Sequence, residues 1–314
     1  MYINKASNYL PSEIIDNSYF MDKNGMDDAT IIRKSGIKTR VKAGPDENTN
    51  TMALDAVEAG LKDLPYDIKE VDLIIGATYS PYDTVGTLAH VVQQKYDIDK
   101  AIVFSISSAC SSFLNAMEII EGYFATGKAS RALVVNAEHN WAFVNENDPV
   151  SAHLWGDGAS AVFVSKERVS PTDHEVLSIN TEGHAHIGRG PGGVCLKPLH
   201  GGIEMPDGRD VFYNAITFMS EKTQNILEEN GYKVDQLDYL IPHQANIRII
   251  NVIAETLKFP MEKVVINMVE LGNTGAASSS IGYSQIFKEM KKDETAVITV
   301  FGGGYSSGAM LVKA

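Results

Sequence analysis

Three residues of this 314-residue chain have types and settings that could do covalent chemistry: Cys110, His243 and Asn273. Cys110 follows an apolar run (Ile102 to Ile106) and a turn of small residues (Ser107-Ser108-Ala109), and it precedes a helical pattern that starts at Ser112. A thiol at a helix N-terminus feels the positive end of the helix dipole, which favours thiolate. Its own backbone N–H can face a developing oxyanion. The competing reading is a buried structural cysteine, a common fate of a free thiol. His243 stands in Pro242-His243-Gln244-Ala245-Asn246, a polar run directly after a buried strand, where open α/β sheets carry their ligands. A lone histidine is otherwise a satisfied polar residue. Asn273 lies in Gly272-Asn273-Thr274-Gly275, which by itself reads as a turn and helix cap. The Gly302-Gly303-Gly304 run after the last strand lets backbone N–H groups approach a ligand. It lacks the Gly-Lys-Ser/Thr ending of a phosphate loop, so an oxyanion donor fits it better. Gly156-Asp157-Gly158 reads as a structural turn into a strand.

The elements that must position these groups are legible as short β-branched runs separated by helical periodicity. Strands are expected at Val71 to Ala77, Ala101 to Ile106, Ala132 to Ala137, Ala159 to Val164, Tyr239 to Ile241, Val264 to Ile266 and Ala296 to Phe301. Helices are expected over Ser112 to Phe124 and Asp210 to Asn230. This alternation predicts α/β layers with a largely parallel sheet. A repeat underlies it. The runs at Glu70 and Gln236, the turns at Cys110 and Asn273, and the strands at Arg131 and Thr295 pair in order at one offset of about 165 residues. Two α/β halves, 1–165 and 166–314, related by a pseudo-two-fold axis would bring the Cys110 and Asn273 turns to one pocket. Ser165 to Met205, rich in Gly, Pro and His, reads as the joint between halves and a loop-rich excursion.

Composition bounds the rest. A formal net charge of −13 argues against nucleic acid or an anionic membrane as a partner. Two cysteines in a chain this long suggest reduced thiols rather than a disulfide scaffold. The first residues show no charged leader with an apolar run behind it, and no apolar stretch reaches the ~20 residues of a membrane span. A cytoplasmic protein is the expectation, and no His/Cys cluster has metal-ligand spacing.

With these motifs in place, the chain resembles the β-ketoacyl-acyl-carrier-protein synthase III family. The resemblance is carried by Ser35 to Arg40, Ser108 to Phe113, Leu154 to Ala159, Pro242 to Ile249, Gly272 to Ser278 and Phe301 to Tyr305, in family order over nearly the whole chain. It implies a homodimeric thiolase-like fold with five α-β-α-β-α layers. It implies Cys110 as the acylated nucleophile, and His243 and Asn273 as the pair that drives decarboxylation of a malonyl substrate. The backbones of Cys110 and Gly303 match the oxyanion donors, Arg248 matches a docking residue for acyl carrier protein, and Phe212 matches an aromatic of the acyl pocket. The implied reaction condenses an acyl primer, brought by acyl-CoA or acyl-carrier-protein, with malonyl-carrier-protein. It initiates fatty acid synthesis without a permanently bound cofactor or a metal. Thr30 stands where the family often has a coenzyme-stacking Trp, Thr84 where the loop crossing the dimer often carries Phe, Trp155 in place of a pocket Phe, and Ser307 in place of a Trp. The primer is therefore open, and a related ketosynthase or acyltransferase of secondary metabolism is the alternative. A papain-like peptidase shares the Cys, His, Asn order, but the residues around Cys110 and the strand-rich duplication disfavour it. A non-catalytic partner subunit would be expected to have lost the nucleophile.

Overall fold

The computed structural model describes residues 1–199 and 201–314. Among the described residues, thirteen strands are formed: β1 (Tyr2–Tyr9), β2 (Glu13–Asp16), β3 (Thr39–Lys42), β4 (Leu73–Ala77), β5 (Ile102–Ile106), β6 (Arg131–Glu138), β7 (Gly158–Ser165), β8 (His174–Gly183), β9 (Cys195–Leu196), β10 (Ile203–Glu204), β11 (Tyr239–Pro242), β12 (Thr295–Gly302) and β13 (Ser306–Lys313). The α-helices are α1 (Tyr19–Asn24), α2 (Asp28–Ser35), α3 (Thr49–Leu61), α4 (Leu88–Lys95), α5 (Ser112–Ala125), α6 (Gly208–Glu229), α7 (Ile247–Leu257), α8 (Met268–Leu271) and α9 (Ser278–Ile286).

Nine strands form one sheet in the order β11-β12-β13-β8-β1-β7-β6-β4-β5. The order is a palindrome of two similar units. In one, parallel β5, β4 and β6 are followed by antiparallel β7 and then β1. In the other, parallel β11 and β12 are followed by antiparallel β13 and then β8. The units meet where β1 touches β8 through only two residue pairs, Tyr2 with Glu175 and Ile3 with His174. The sheet is therefore mixed, not largely parallel. The apolar runs that signal parallel strands are real, but antiparallel neighbours lie between them.

Burial explains the layering. Strands β4, β6 and β12 are buried along their length, as strands covered on both faces must be. Helices α5 and α9 pack between the two half-sheets: α5 touches β4 and β6 on one side and β8 and β13 on the other, and α9 touches β1 and β7, then β11 and β12. Phe113, Leu114, Met117 and Ile120 of α5 are fully buried in that middle core, each removing a side chain from water at a gain of roughly 1.5–3 kcal/mol. Helices α3 and α4 cover the outer face of the first unit, and α6, backed by α7, covers the second. The result is five layers, α-β-α-β-α.

Two expectations fail here. Val264 to Ile266 makes only an isolated bridge from Val264 to Leu240, since a 3-10 turn at Met261–Lys263 ends just before it. The segment expected to be a loop-rich joint contains β8, ten residues long. Its polar residues (His174, Glu175, Ser178, Asn180, Thr181) interrupt any apolar run and hide the strand.

Candidate active site

The turn between β5 and α5 is built to aim one sulfur at an internal cavity. Ala109 adopts φ 49°, a left-handed conformation that is strained for a residue with a Cβ. The turn is held by Ser112 Oγ, which accepts from Ser108 N–H at 2.8 Å and donates to Ala109 O at 2.6 Å. The end of β12 presses against it. A Cβ on Gly302 would lie 2.8 Å from Ser108 O and 2.9 Å from Ser111 N, so only glycine fits. Cys110 is buried. Burial, then the nearby Glu138, push its thiol up to about 12, while the N–H groups of Gly303 and of Cys110 itself pull it down. The expected activation by the helix dipole is thus outweighed by desolvation.

His243 follows β11, where its N–H donates to Thr299 O at 2.8 Å. Its Nδ1 lies 2.6 Å from Ser278 Oγ, at the start of α9. Burial holds the imidazole down at about 4, so it is neutral near pH 7. Ser278 Oγ also accepts from the Gln244 N–H at 3.4 Å. When its own proton goes to Nδ1, the imidazole proton sits on Nε2.

Asn273 is pinned on both backbone sides. Its N–H donates to Leu154 O at 2.7 Å, and its carbonyl accepts from Gly156 N–H at 3.0 Å. Its side-chain Oδ1 accepts from Gly275 N–H at 3.0 Å, which leaves the amide N–H₂ as the free end. Cys110, His243 and Asn273 line one narrow cavity of about 40 Å³, together with Gly303, Phe301 and Trp155. Residues from four separate elements therefore converge on one point.

A second cavity, about 630 Å³, opens on the other side of Cys110 and shares Trp155, Val194 and Gly303 with the first. Trp155 thus borders both, and its indole N–H has no partner among the described residues. Cys195 lines the larger cavity and Tyr79 its far wall. Two residues expected at the acyl pocket stand elsewhere in this chain. Val211 and Ala215 of α6 face the narrow cavity, whereas Phe212 is turned one position round the helix, half-buried beneath the Arg248 guanidinium at 5.6 Å. Thr84 is exposed in the loop between β4 and α4 and borders neither cavity. Arg248 is exposed on the first turn of α7, next to Ile249, which lines the narrow cavity. Thr30 lies in the first turn of α2 with its N–H capped by Asp27. Ser307 is buried in β13 against His184 Nε2 at 2.8 Å.

Sequence reasoning missed a buried brace behind the site. Glu138, at the end of β6, accepts from Thr78 Oγ1, Tyr79 N–H and Ser80 N–H, each at 3.1 Å. Burial pushes its carboxyl up to about 8. Tyr79 Oη then donates to Asn140 Oδ1 at 2.7 Å, and Asn140 Nδ2 donates to Gly156 O at 2.6 Å and Asn273 O at 3.3 Å. Ser278 was likewise visible only as part of a motif. A buried acid after a strand and a serine at a helix start carry no signal of their own in sequence. Among the described residues, no group of three or more His, Cys, Asp or Glu is placed to hold a metal ion.

Five pseudo-symmetric layers enclosing a cysteine, a histidine and an asparagine on one cavity define a condensing enzyme of the thiolase type. Known proteins narrow this. Residues 104–184 match the model of 3-oxoacyl-[acyl-carrier-protein] synthase III, and residues 227–314 match its C-terminal model. The β-ketoacyl-[acyl-carrier-protein] synthase III of Aquifex aeolicus is 34% identical, with 97% of this chain and 96% of that protein covered. Its counterpart from Neisseria gonorrhoeae is 32% identical over 99% of this chain and 98% of its own length. The crystal structure of the Aquifex aeolicus enzyme superposes with a TM-score of 0.92 at 33% identity, covering 100% of this chain and 99% of that one. The Thermus thermophilus enzyme gives 0.93 at 27% identity, with the same coverage. The chain belongs to the β-ketoacyl-acyl-carrier-protein synthase III family.

Proposed function

We propose that the chain condenses an acyl primer, carried on Cys110, with malonyl-acyl-carrier-protein, releasing carbon dioxide and a β-ketoacyl product that starts a fatty acid. The observation that carries this reading is that one cavity is lined by the Cys110 sulfur, a neutral imidazole and an amide whose acceptor oxygen is already engaged. In the first half-reaction the sulfur attacks the primer thioester. The new carbon–sulfur bond forms, and the departing coenzyme or carrier thiol leaves with the proton of Cys110. The N–H groups of Cys110 and Gly303 face the tetrahedral oxyanion. In the second, loss of carbon dioxide from the malonyl thioester leaves an enolate, whose oxygen accepts from His243 Nε2–H and Asn273 Nδ2–H. Each donor contributes on the order of 3 kcal/mol. The carbanion then attacks the acyl-Cys110 carbonyl, and the thioester bond to the enzyme breaks.

The same reading assigns 1–165 and 166–314 as the duplicated halves, the cytoplasm as compartment, and acyl-CoA and acyl carrier protein as the substrates that visit the site. It assigns Arg248 to carrier docking, supported by its exposure beside the site. A homodimer is supported by β5, an apolar strand paired only to β4, and by exposed Tyr82 and Val85 in the loop that carries Thr84. In such a dimer Thr84, and not a residue of the same chain, reaches the partner's acyl pocket. The side chains of Trp155 and Thr30 favour a second reading, in which the same chemistry serves a different acyl donor or acceptor.

The test is intact-mass measurement after exposure to acyl-CoA and acyl-carrier-protein donors, followed by addition of malonyl-carrier-protein. Cys110→Ala should take up no acyl group. His243→Ala and Asn273→Ala should be acylated and then condense about 10²–10³-fold more slowly. Normal condensation by either variant would overturn the assignment of the enolate donors.

A further inference from the structure

A third cavity, far from Cys110, has no part in this chemistry. It measures about 910 Å³ and lies at the seam where β1 meets β8. Strand β8 runs from His174 and Glu175 at this cavity to Gly183 at the cavity beside Cys110. Ten residues at about 3.3 Å each set the two roughly 30 Å apart.

The chain as a whole is strongly acidic, yet this cavity is lined by five cationic side chains, Lys5, Arg168, Lys288, Lys292 and Lys313, and three carboxylates, Asp63, Glu175 and Asp293. Lys5 is the anomaly. It sits in the body of β1 at 5% exposure, where a lysine is ordinarily found only when well paired. Its nearest anion is Asp63 at 3.8 Å, and that carboxylate is taken at 3.1 Å by Lys288. Burial first, and then the neighbouring Lys288, depress the ammonium below the usual lysine range. A shift of register between Ile3 and Lys5 lets Ile3 and Ala6, three residues apart, both face the middle core. Such a bulge re-aims the side chains beside it, here with Lys5 on the cavity wall. Arg168 Nη1 donates to Asp173 O at 2.9 Å, and its Nη2 reaches Glu175 only at 3.9 Å, so that end of the fork remains for a ligand. The stem of Lys5 is buried while its ammonium borders the cavity, with its nearest carboxylate at 3.8 Å and shared with Lys288. Phe287 and Met290 add an apolar wall beside the cations.

We propose that the β1/β8 cavity binds a small molecule bearing a phosphate or pyrophosphate group, with Lys5 at its centre and Lys288 and Arg168 flanking it. Ammonium groups from separate elements suit the separate oxygens of a phosphoryl group, and the guanidinium adds a planar fork. The volume falls in the range of sites for nucleotide-sized ligands. Titration calorimetry with inorganic pyrophosphate and with adenosine diphosphate, against sodium chloride of equal ionic strength, tests this. Saturable binding weakened at least about tenfold by Lys5→Met supports the site. Tighter binding of the nucleotide assigns its source to a nucleoside phosphate, and tighter binding of pyrophosphate to the free anion. Should Lys5→Met fail to fold, Lys288→Ala, whose side chain is 68% exposed, carries the same comparison. Heat matched by sodium chloride, absence of saturation, or wild-type affinity in both variants would overturn the proposal.

Discussion

At the scale of single residues, burial keeps the nucleophile as a thiol. Because the proton is held up to about 12, the thiolate fraction should rise tenfold per pH unit across the whole neutral and mildly alkaline range. In a Cys195→Ala background, iodoacetamide labelling of Cys110 should accelerate in that way from about pH 7 to 10 without levelling. A plateau near pH 8 would mean that the helix dipole dominates after all. Ser278 deserves the same scrutiny as the three residues it serves. Removing its hydroxyl in Ser278→Ala frees the imidazole to exchange tautomers. Condensation should then slow by about tenfold while acylation stays near wild type, measured in separate single-turnover experiments. Cys110, His243 and Asn273 were legible in sequence because each sits in a short polar or small-residue run after an apolar strand. Ser278, Glu138 and Tyr79 were not. Their work is defined by contacts such as Ser278 with His243, 35 residues away, or Asn140 with Asn273, 133 away, which no local pattern encodes.

At the scale of elements, the site depends on how closely strand ends approach the nucleophile turn. Gly302→Ala would set a methyl against the backbone of Ser108 and Ser111. Either the Cys110 turn or the Gly303 N–H must then move. Acyl-enzyme formation should fall by about tenfold or more, with a lower melting temperature, because a displaced oxyanion donor alone costs on that order. Wild-type acylation rates in this variant would show that the approach is not needed. The strands most easily read in advance were β4, β6 and β12, whose faces are both covered and whose sequences are mostly apolar. Strands β1 and β8 escaped notice because they carry polar residues satisfied inside the fold: Asn4 Nδ2 donates to Ser165 Oγ at 2.8 Å, and Ser7 Oγ donates to Ala56 O at 2.7 Å. Hydropathy registers those side chains as surface, whereas pairing across the sheet makes them interior.

At the scale of the whole molecule, duplication is what places chemistry from distant sequence at one point, since the turn after β5 and the turn before α9 approach from the two units. The repeat was visible as a common offset, but its consequence for sheet order was not, because no local pattern tells the direction in which β7, β13, β1 and β8 run. The homodimer reading makes a matching prediction. Sedimentation should give twice the 34.2 kDa chain mass, and Ile102→Lys, a charge on the half-covered edge strand, should shift it toward one chain and reduce turnover together. That edge has a further consequence for handling the protein. The outer edge of β5, flanked by Val103, Phe104 and Ile106, has no strand paired to it within the chain, and under the homodimer reading it remains adhesive whenever the second copy is missing. Dilution or partial assembly should therefore end in turbidity and lost recovery rather than in a quiet pool of single subunits.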